Sequence, residues 1–153
     1  MYVVNTVIKE AEIKICSTIE NLDSAGLPMG ESERTESCIS GYFHVTNDEY
    51  FVTYSEEEEG RRTVSEIRYS DGRVTVSRKG AIESVLLFAE GECHTSLYKL
   101  PPYTFDAEVK TRRIRAVLSE EGGTVDLHYN MKIGGADKSA RMKIWISTNL
   151  KRS

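Results

Sequence analysis

Arg78 closes the run Val74, Val76, Arg78, in which every second residue is otherwise apolar. In a strand, that alternation puts all three side chains on one face, so the guanidinium points where two valines point, at or inside the rim of a core. A buried arginine needs a carboxylate partner, and its planar fork suits either a protein carboxylate or one carried by a ligand. Tyr54 follows Val52 in the same way, Tyr129 lies between Leu127 and Met131, and Tyr98 stands two residues before Leu100. One arginine and three phenolic hydroxyls on faces that should be dry are suited to a cavity that orients an amphipathic or carboxylate small molecule. The competing reading is an internal salt bridge from Arg78 to Glu66 or Glu83 in a filled core.

Other candidate chemistry fails on spacing. His44, His94 and His128 fall on different segments without the close ligand spacing of a zinc site, so no metal is expected. Neither G-x-G-x-x-G nor G-x-x-x-x-G-K-[ST] occurs, and no G-x-S-x-G elbow presents a serine. No nucleophile, base and orienting group can be assembled, so neither an enzyme nor a cofactor is expected; a histidine within reach of a carboxylate in a cleft would reverse that. The run Glu56-Glu57-Glu58-Glu59-Gly60-Arg61-Arg62 lacks the alternating ligands and central glycine of a calcium loop and reads as a solvated hairpin tip. Lys110-Thr111-Arg112-Arg113-Ile114-Arg115 is the best local case for an anion patch, but only Phe105 lies nearby for base stacking.

The elements that must position these residues alternate with a period of two almost throughout. Val125, Leu127, Tyr129, Met131 and Ile133 interleave with Asp126, His128, Asn130 and Lys132, and Ala140, Met142, Ile144 and Ile146 interleave with Arg141, Lys143 and Trp145. Such patterns are half-buried antiparallel strands. Short turn signals separate them, among them Asn47-Asp48, Asp71-Gly72 and Gly134-Gly135. About ten strands result, at roughly 9–20, 35–46, 50–56, 62–69, 73–78, 81–89, 93–99, 104–119, 124–133 and 138–148, with an irregular loop over 21–34. The register switches at Arg112-Arg113, from Phe105, Ala107 and Val109 to Ile114, Ala116 and Leu118, which predicts a bulge. Ten meandering strands are too wide for an open flat sheet. The expected fold is a single all-β domain over 1–153, an antiparallel up-and-down barrel of about 8–10 strands.

Residues 1–60 carry 3 basic and 13 acidic side chains, whereas 61–153 carry 17 and 11. Closure of the last strand onto the first would set outward Arg141 and Lys143 beside Glu10 and Glu12. The segments Tyr50-Phe51-Val52-Thr53-Tyr54-Ser55-Glu56, Val74-Thr75-Val76-Ser77-Arg78-Lys79-Gly80, Phe88-Ala89-Glu90-Gly91 and Val125-Asp126-Leu127-His128-Tyr129-Asn130-Met131, in that order, resemble the YwiB-like family of small bacterial proteins. The resemblance runs from about Gly41 to Thr148. It implies a calycin-like (lipocalin-like) barrel and a bacterial cytoplasmic origin, and it brings no activity with it.

The net charge of −4 disfavours nucleic acid, since phosphate binding rests on cationic groups. The longest apolar run, Val85 to Ala89, is far short of the ~20 residues of a spanning helix, so no membrane partner is expected. Residues 1–10 lack a signal-peptide pattern, and three cysteines at wide spacing fit reduced thiols, which together predict a cytoplasmic protein. Trp145 alternates onto the outer face, and Ile82 to Phe88 is apolar on both faces. A homodimer through an outer wall that includes Trp145, Leu86 and Phe88 is therefore the alternative role. Cover for that patch would have to come from the loop 21–33, through Leu22, Leu27 and Met29.

Overall fold

The computed structural model describes residues 7–148. Ten strands follow one another: β1 (Val7–Leu22), β2 (Pro28–Thr46), β3 (Glu49–Glu58), β4 (Arg61–Ser70), β5 (Arg73–Gly80), β6 (Glu83–Ala89), β7 (Cys93–Leu100), β8 (Tyr103–Ser119), β9 (Gly122–Ile133) and β10 (Ala136–Ser147). Each is antiparallel to its neighbours in sequence, and β1 pairs with β10, so the sheet closes into an up-and-down barrel. Two-residue turns make this meander possible. Asn47-Asp48, Glu59-Gly60, Asp71-Gly72 and Gly134-Gly135 all have positive φ at both positions, the type I′ geometry whose twist matches that of the flanking strands.

Alternate residues of every strand point inward. Phe43, Phe88, Ile13, Leu127, Ile144 and Val74 are the largest of these side chains and are nearly inaccessible. At roughly 1.5–3 kcal/mol for each buried aliphatic or aromatic side chain, this layer dominates the stability of the barrel. Gly41 lets β1, β2 and β3 pack at one point: a Cβ there would stand 2.4 Å from the Thr53 carbonyl oxygen and 2.8 Å from Ile13 Cδ1. The expected bulge is present, with the β8 and β9 register shifting between Thr111 and Arg113. Among the described residues, no helix is long and apolar enough to cross a membrane.

Two expectations are corrected. The irregular loop 21–34 is mostly strand: β2 begins at Pro28 after a five-residue turn, and its pairing with β1 is interrupted by a register break at Gly30, which adopts φ +74°. There Asp23 Oδ1 accepts hydrogen bonds from the Ala25 and Leu27 amides at 2.9 and 3.0 Å, and Gly26 adopts φ +82°. The resulting arm is held by backbone ladders rather than burial, so neither face alternates. From Pro28 to Ser40, β2 has β1 on one side and no strand on the other, because β3 joins only at Gly41.

The second correction concerns charge. The β1–β10 closure occurs, but Arg141 lies opposite Thr18 and Lys143 opposite Cys16. Arg141 instead holds Asp126 of β9, with Nη2 2.9 Å from Oδ2. The register is fixed by inward pairs such as Ile13 with Ile146 and Ile15 with Ile144. Burying those side chains outweighs exposed ion pairs, which contribute roughly 0–1 kcal/mol each.

Candidate functional site

A polar row crosses five adjacent strands on the inner face. Tyr54 of β3 lies opposite Ser65 of β4, Ser65 opposite Arg78 of β5, Arg78 opposite Ser84 of β6, and Ser84 opposite Tyr98 of β7. The spacing follows from the pleat, because inward residues in register across antiparallel strands stand side by side. Ser65 and Ser84 are 1% and 6% exposed; the Ser84 hydroxyl has no hydrogen-bond partner, and Ser65 has none but the Tyr54 phenol opposite it, whose ionisation it eases. Ser96 Oγ, on the inward row of β7, is likewise buried and without a partner.

Arg78 has no carboxylate to hold. Glu66 and Glu83 are exposed on the outer face, out of register with it, and Arg78 takes part in none of the ion pairs among the described residues. The internal salt bridge anticipated for it is thus not formed. Its charge is felt by the neighbouring phenols. Burial pushes the hydroxyls of Tyr54 and Tyr129 above the usual tyrosine range, and the guanidinium partly offsets that rise in both.

Arg78, Tyr98 and Tyr129 line one cavity of about 260 Å³ inside the barrel. Its walls are mainly apolar, from Ile19, Leu86, Phe88, Met131, Ile133 and Met142, and they include a second cation, Lys138, and no carboxylate. Phe88 meets Tyr129 edge-on, with ring centres 4.9 Å apart, which fixes the orientation of that phenol. Tyr54 belongs to the same belt but faces Ser65 rather than this cavity. Arg78 and Ser65 also border a second space, an open cleft of about 310 Å³ at the end of the barrel, with Glu56, Glu58, Glu59 and Arg61 around its mouth. Ser65, Ser84 and Lys138 were not anticipated as site residues. Serines on inward rows and a lysine beyond Ala140 carry no signal until the register sets them beside Arg78 or the cavity.

Leu86 and Phe88 are corrected as outer-wall residues. They lie opposite Val76 and Val74 and are 8% and 0% exposed inside the barrel. The outward members of that strand are Val85 and Leu87. Trp145 does face out, half-buried, with Lys14 Nζ and Lys143 Nζ at 5.1 and 5.0 Å from its ring centre. The arm does not cover this wall through Leu27 and Met29, which remain 61% and 54% exposed.

The histidines form no cleft chemistry. His94 Nε2 lies 3.0 Å from Glu92 Oε1, and the other oxygen of that carboxylate meets Arg73 at 3.3 Å, in a surface tie between β5 and β7. His128 lies 3.8 Å from Asp126, which Arg141 already holds, and His44 stacks on Phe51. Neither His94 nor His128 borders the two spaces that meet at Arg78. The side chains of Cys16, Cys38 and Cys93 are free thiols.

Strand order, closure and inner lining define the class: a closed ten-stranded antiparallel β-barrel with a polar belt across a mainly apolar interior. The chain belongs to the family described as a domain of unknown function, DUF1934, whose model matches residues 13–146. It is 27% identical over 105 residues to the uncharacterized β-barrel protein YwiB of Bacillus subtilis (strain 168), a match covering 69% of this chain and 74% of that protein. It also matches the crystal structure of the ywiB protein from Bacillus subtilis with a TM-score of 0.80 at 24% identity, over 94% of each chain. The family resemblance carried by the strand segments is thereby established, together with an all-β, closed antiparallel barrel.

Proposed function

We propose that this barrel is a non-catalytic binding module for a small amphipathic or carboxylate molecule held in its interior, with Arg78 as the anchor. The observation that carries this reading is a guanidinium on an inward row, without a protein carboxylate, at the edge of a mainly apolar cavity. An arginine in that position carries a desolvation cost unless an anion meets it. Tyr98 and Tyr129 supply further hydroxyls in the same space, and Tyr54, Ser65 and Ser84 complete the belt around the guanidinium. The cavity is close to the lower end of ordinary ligand sites, ~300 Å³, so the ligand is small or extends outward past Arg78. Free thiols support a cytoplasmic setting, and a calycin-like kinship would suit an interior ligand.

Native mass spectrometry of the protein purified from its own cells tests this reading, together with thermal shifts in fatty and aromatic acids. A bound anion in the parent chain that is lost in Arg78→Gln is the expected result. Absence of any adduct, with no thermal shift from either class of acid, would refute it.

A second reading, self-association, is favoured by a specific patch. Val85 and Leu97 flank the β6–β7 seam on the outer face and are 55% and 52% exposed. A homodimer through this wall would bury both, and Trp145 would mark a second edge of the same surface only if the contact spreads around the barrel. Sedimentation of the parent and of Val85→Glu decides it: a parent that is monomeric at all concentrations ends this reading.

A further inference from the structure

Arg78 borders both the inner cavity and the outer cleft, so a molecule reaching through the two would meet three chemistries in a fixed order. Innermost are apolar walls, including Leu86, Phe88, Met131 and Met142, with no carboxylate. At the junction stands Arg78, with the buried hydroxyls of Ser65 and Ser84 directly opposite it on the flanking strands, that of Ser84 without a partner. Outermost are Glu56, Glu58 and Glu59, with Arg61 beside them. None of these three carboxylates, and not Arg61 either, enters an ion pair among the described residues. An inner cation and an outer, solvated acidic cluster, in which Glu58 lies opposite Arg61, therefore sit in sequence along one path, with Ser65, 1% exposed, on the wall of the cleft between them.

We propose that the ligand is a zwitterionic single-chain amphiphile: an apolar tail in the inner cavity, an anionic group on Arg78, and a cationic group beyond it among Glu56, Glu58 and Glu59. This rests on the ligand-binding reading above and narrows it. A plain fatty acid or alkyl phosphate would satisfy Arg78, but it would bring its negative charge toward three carboxylates with one arginine, Arg61, among them. An alkyl cation would answer the carboxylates and leave Arg78 desolvated without an anion. A tail followed by an anion and then a cation answers both, and the two serines can donate to the anion as its remaining hydrogen-bond partners. A lysophospholipid and a synthetic alkylphosphocholine share this chemistry.

The test is isothermal titration of the full chain, below micelle formation, with dodecylphosphocholine, dodecyl phosphate and dodecyltrimethylammonium, which share one tail and differ in charge order. Dodecylphosphocholine should bind roughly tenfold more tightly than dodecyl phosphate, and the trimethylammonium compound most weakly. The triple change Glu56→Gln, Glu58→Gln, Glu59→Gln, at an exposed hairpin tip, should erase the preference for the phosphocholine. Arg78→Gln should weaken both anions. Dodecyl phosphate binding as tightly as the phosphocholine would overturn the zwitterion assignment and leave the interior-ligand reading standing. Failure of all three to bind would also overturn the zwitterion assignment, and the interior-ligand reading would fall with it only if native mass spectrometry and the fatty and aromatic acids were negative as well.

Discussion

Arg78→Met should make the ligand-free protein more stable, not less. In the parent chain the guanidinium is half-buried, has no carboxylate partner, and faces the buried hydroxyls of Ser65 and Ser84. Leaving a buried polar group unsatisfied costs roughly 1–3 kcal/mol, and partial exposure places Arg78 at the low end. Methionine keeps most of the aliphatic volume and removes the charge, so the expected gain is about 1 kcal/mol. With a urea m-value of roughly 2 kcal/mol/M for a domain of this size, the unfolding midpoint should rise by about 0.5 M. The thermal midpoint should rise by about 2–4 °C. The assay is urea unfolding followed by circular dichroism on delipidated protein, with parent and variant side by side. If Arg78 were instead half of an internal salt bridge, removing it would orphan a buried carboxylate and lose about 3–5 kcal/mol. A loss on that scale would refute the account of Arg78 as an unpaired anchor. A gain that disappears when ligand is added, because only the parent is stabilised by it, is the signature expected of a binding residue.

Three further outcomes follow from the interior. Gly41→Ala should lower stability by about 1–3 kcal/mol in thermal melts, because a methyl at 2.4 Å from the Thr53 carbonyl must push β3 away. Phe88→Ala should lose about 3–5 kcal/mol and enlarge the inner cavity, and a longer dodecyl-to-tetradecyl tail should then be accommodated, as read by titration. Tyr54 and Tyr129 have hydroxyl pKa values raised by burial, so the folded state holds these protons more tightly than the unfolded chain does. The stability they contribute is complete below about pH 10, the unfolded value, and falls as pH rises through the folded values. Absorbance titration near 295 nm should show two tyrosines ionising late, and only together with unfolding.

Most of the barrel is legible in the chain because half-burial writes a period of two. The strands that carry Tyr129 and Ile144 alternate without interruption, and the turns at Asp71-Gly72 and Gly134-Gly135 state their geometry in their residue types. The pattern fails where its physical cause is missing. Residues 28–34 are exposed on both faces, so nothing alternates, and Gly30, at φ +74° in the register break between Met29 and Glu33, gives a loop-like signal within a segment whose two ends pair with β1. From Val85 to Phe88 both faces are apolar, and pairing with Val74 and Val76 decides that Leu86 and Phe88 turn inward. Arg78, Tyr98 and Tyr129 could be nominated from register alone. Ser65 and Ser84 could not, because their significance is a position opposite Arg78, and cross-strand register is a property of three dimensions.

Every joint of the barrel but one links strands consecutive in the chain; the exception is β1 with β10. Hairpins close short loops and form early, whereas the final seam must bring together residues as distant as Ile13 and Ile146. Closure is therefore expected to be the late event in folding. Weakening the seam, for instance by Ile144→Val, should quicken unfolding far more than it slows refolding. The interior cavity takes part of its wall from Ile19 of β1 and from Ala140 and Met142 of β10, so it comes into being only when that seam shuts. A ligand held there would act as a latch on the slowest joint, and its benefit to the protein would be a longer native lifetime.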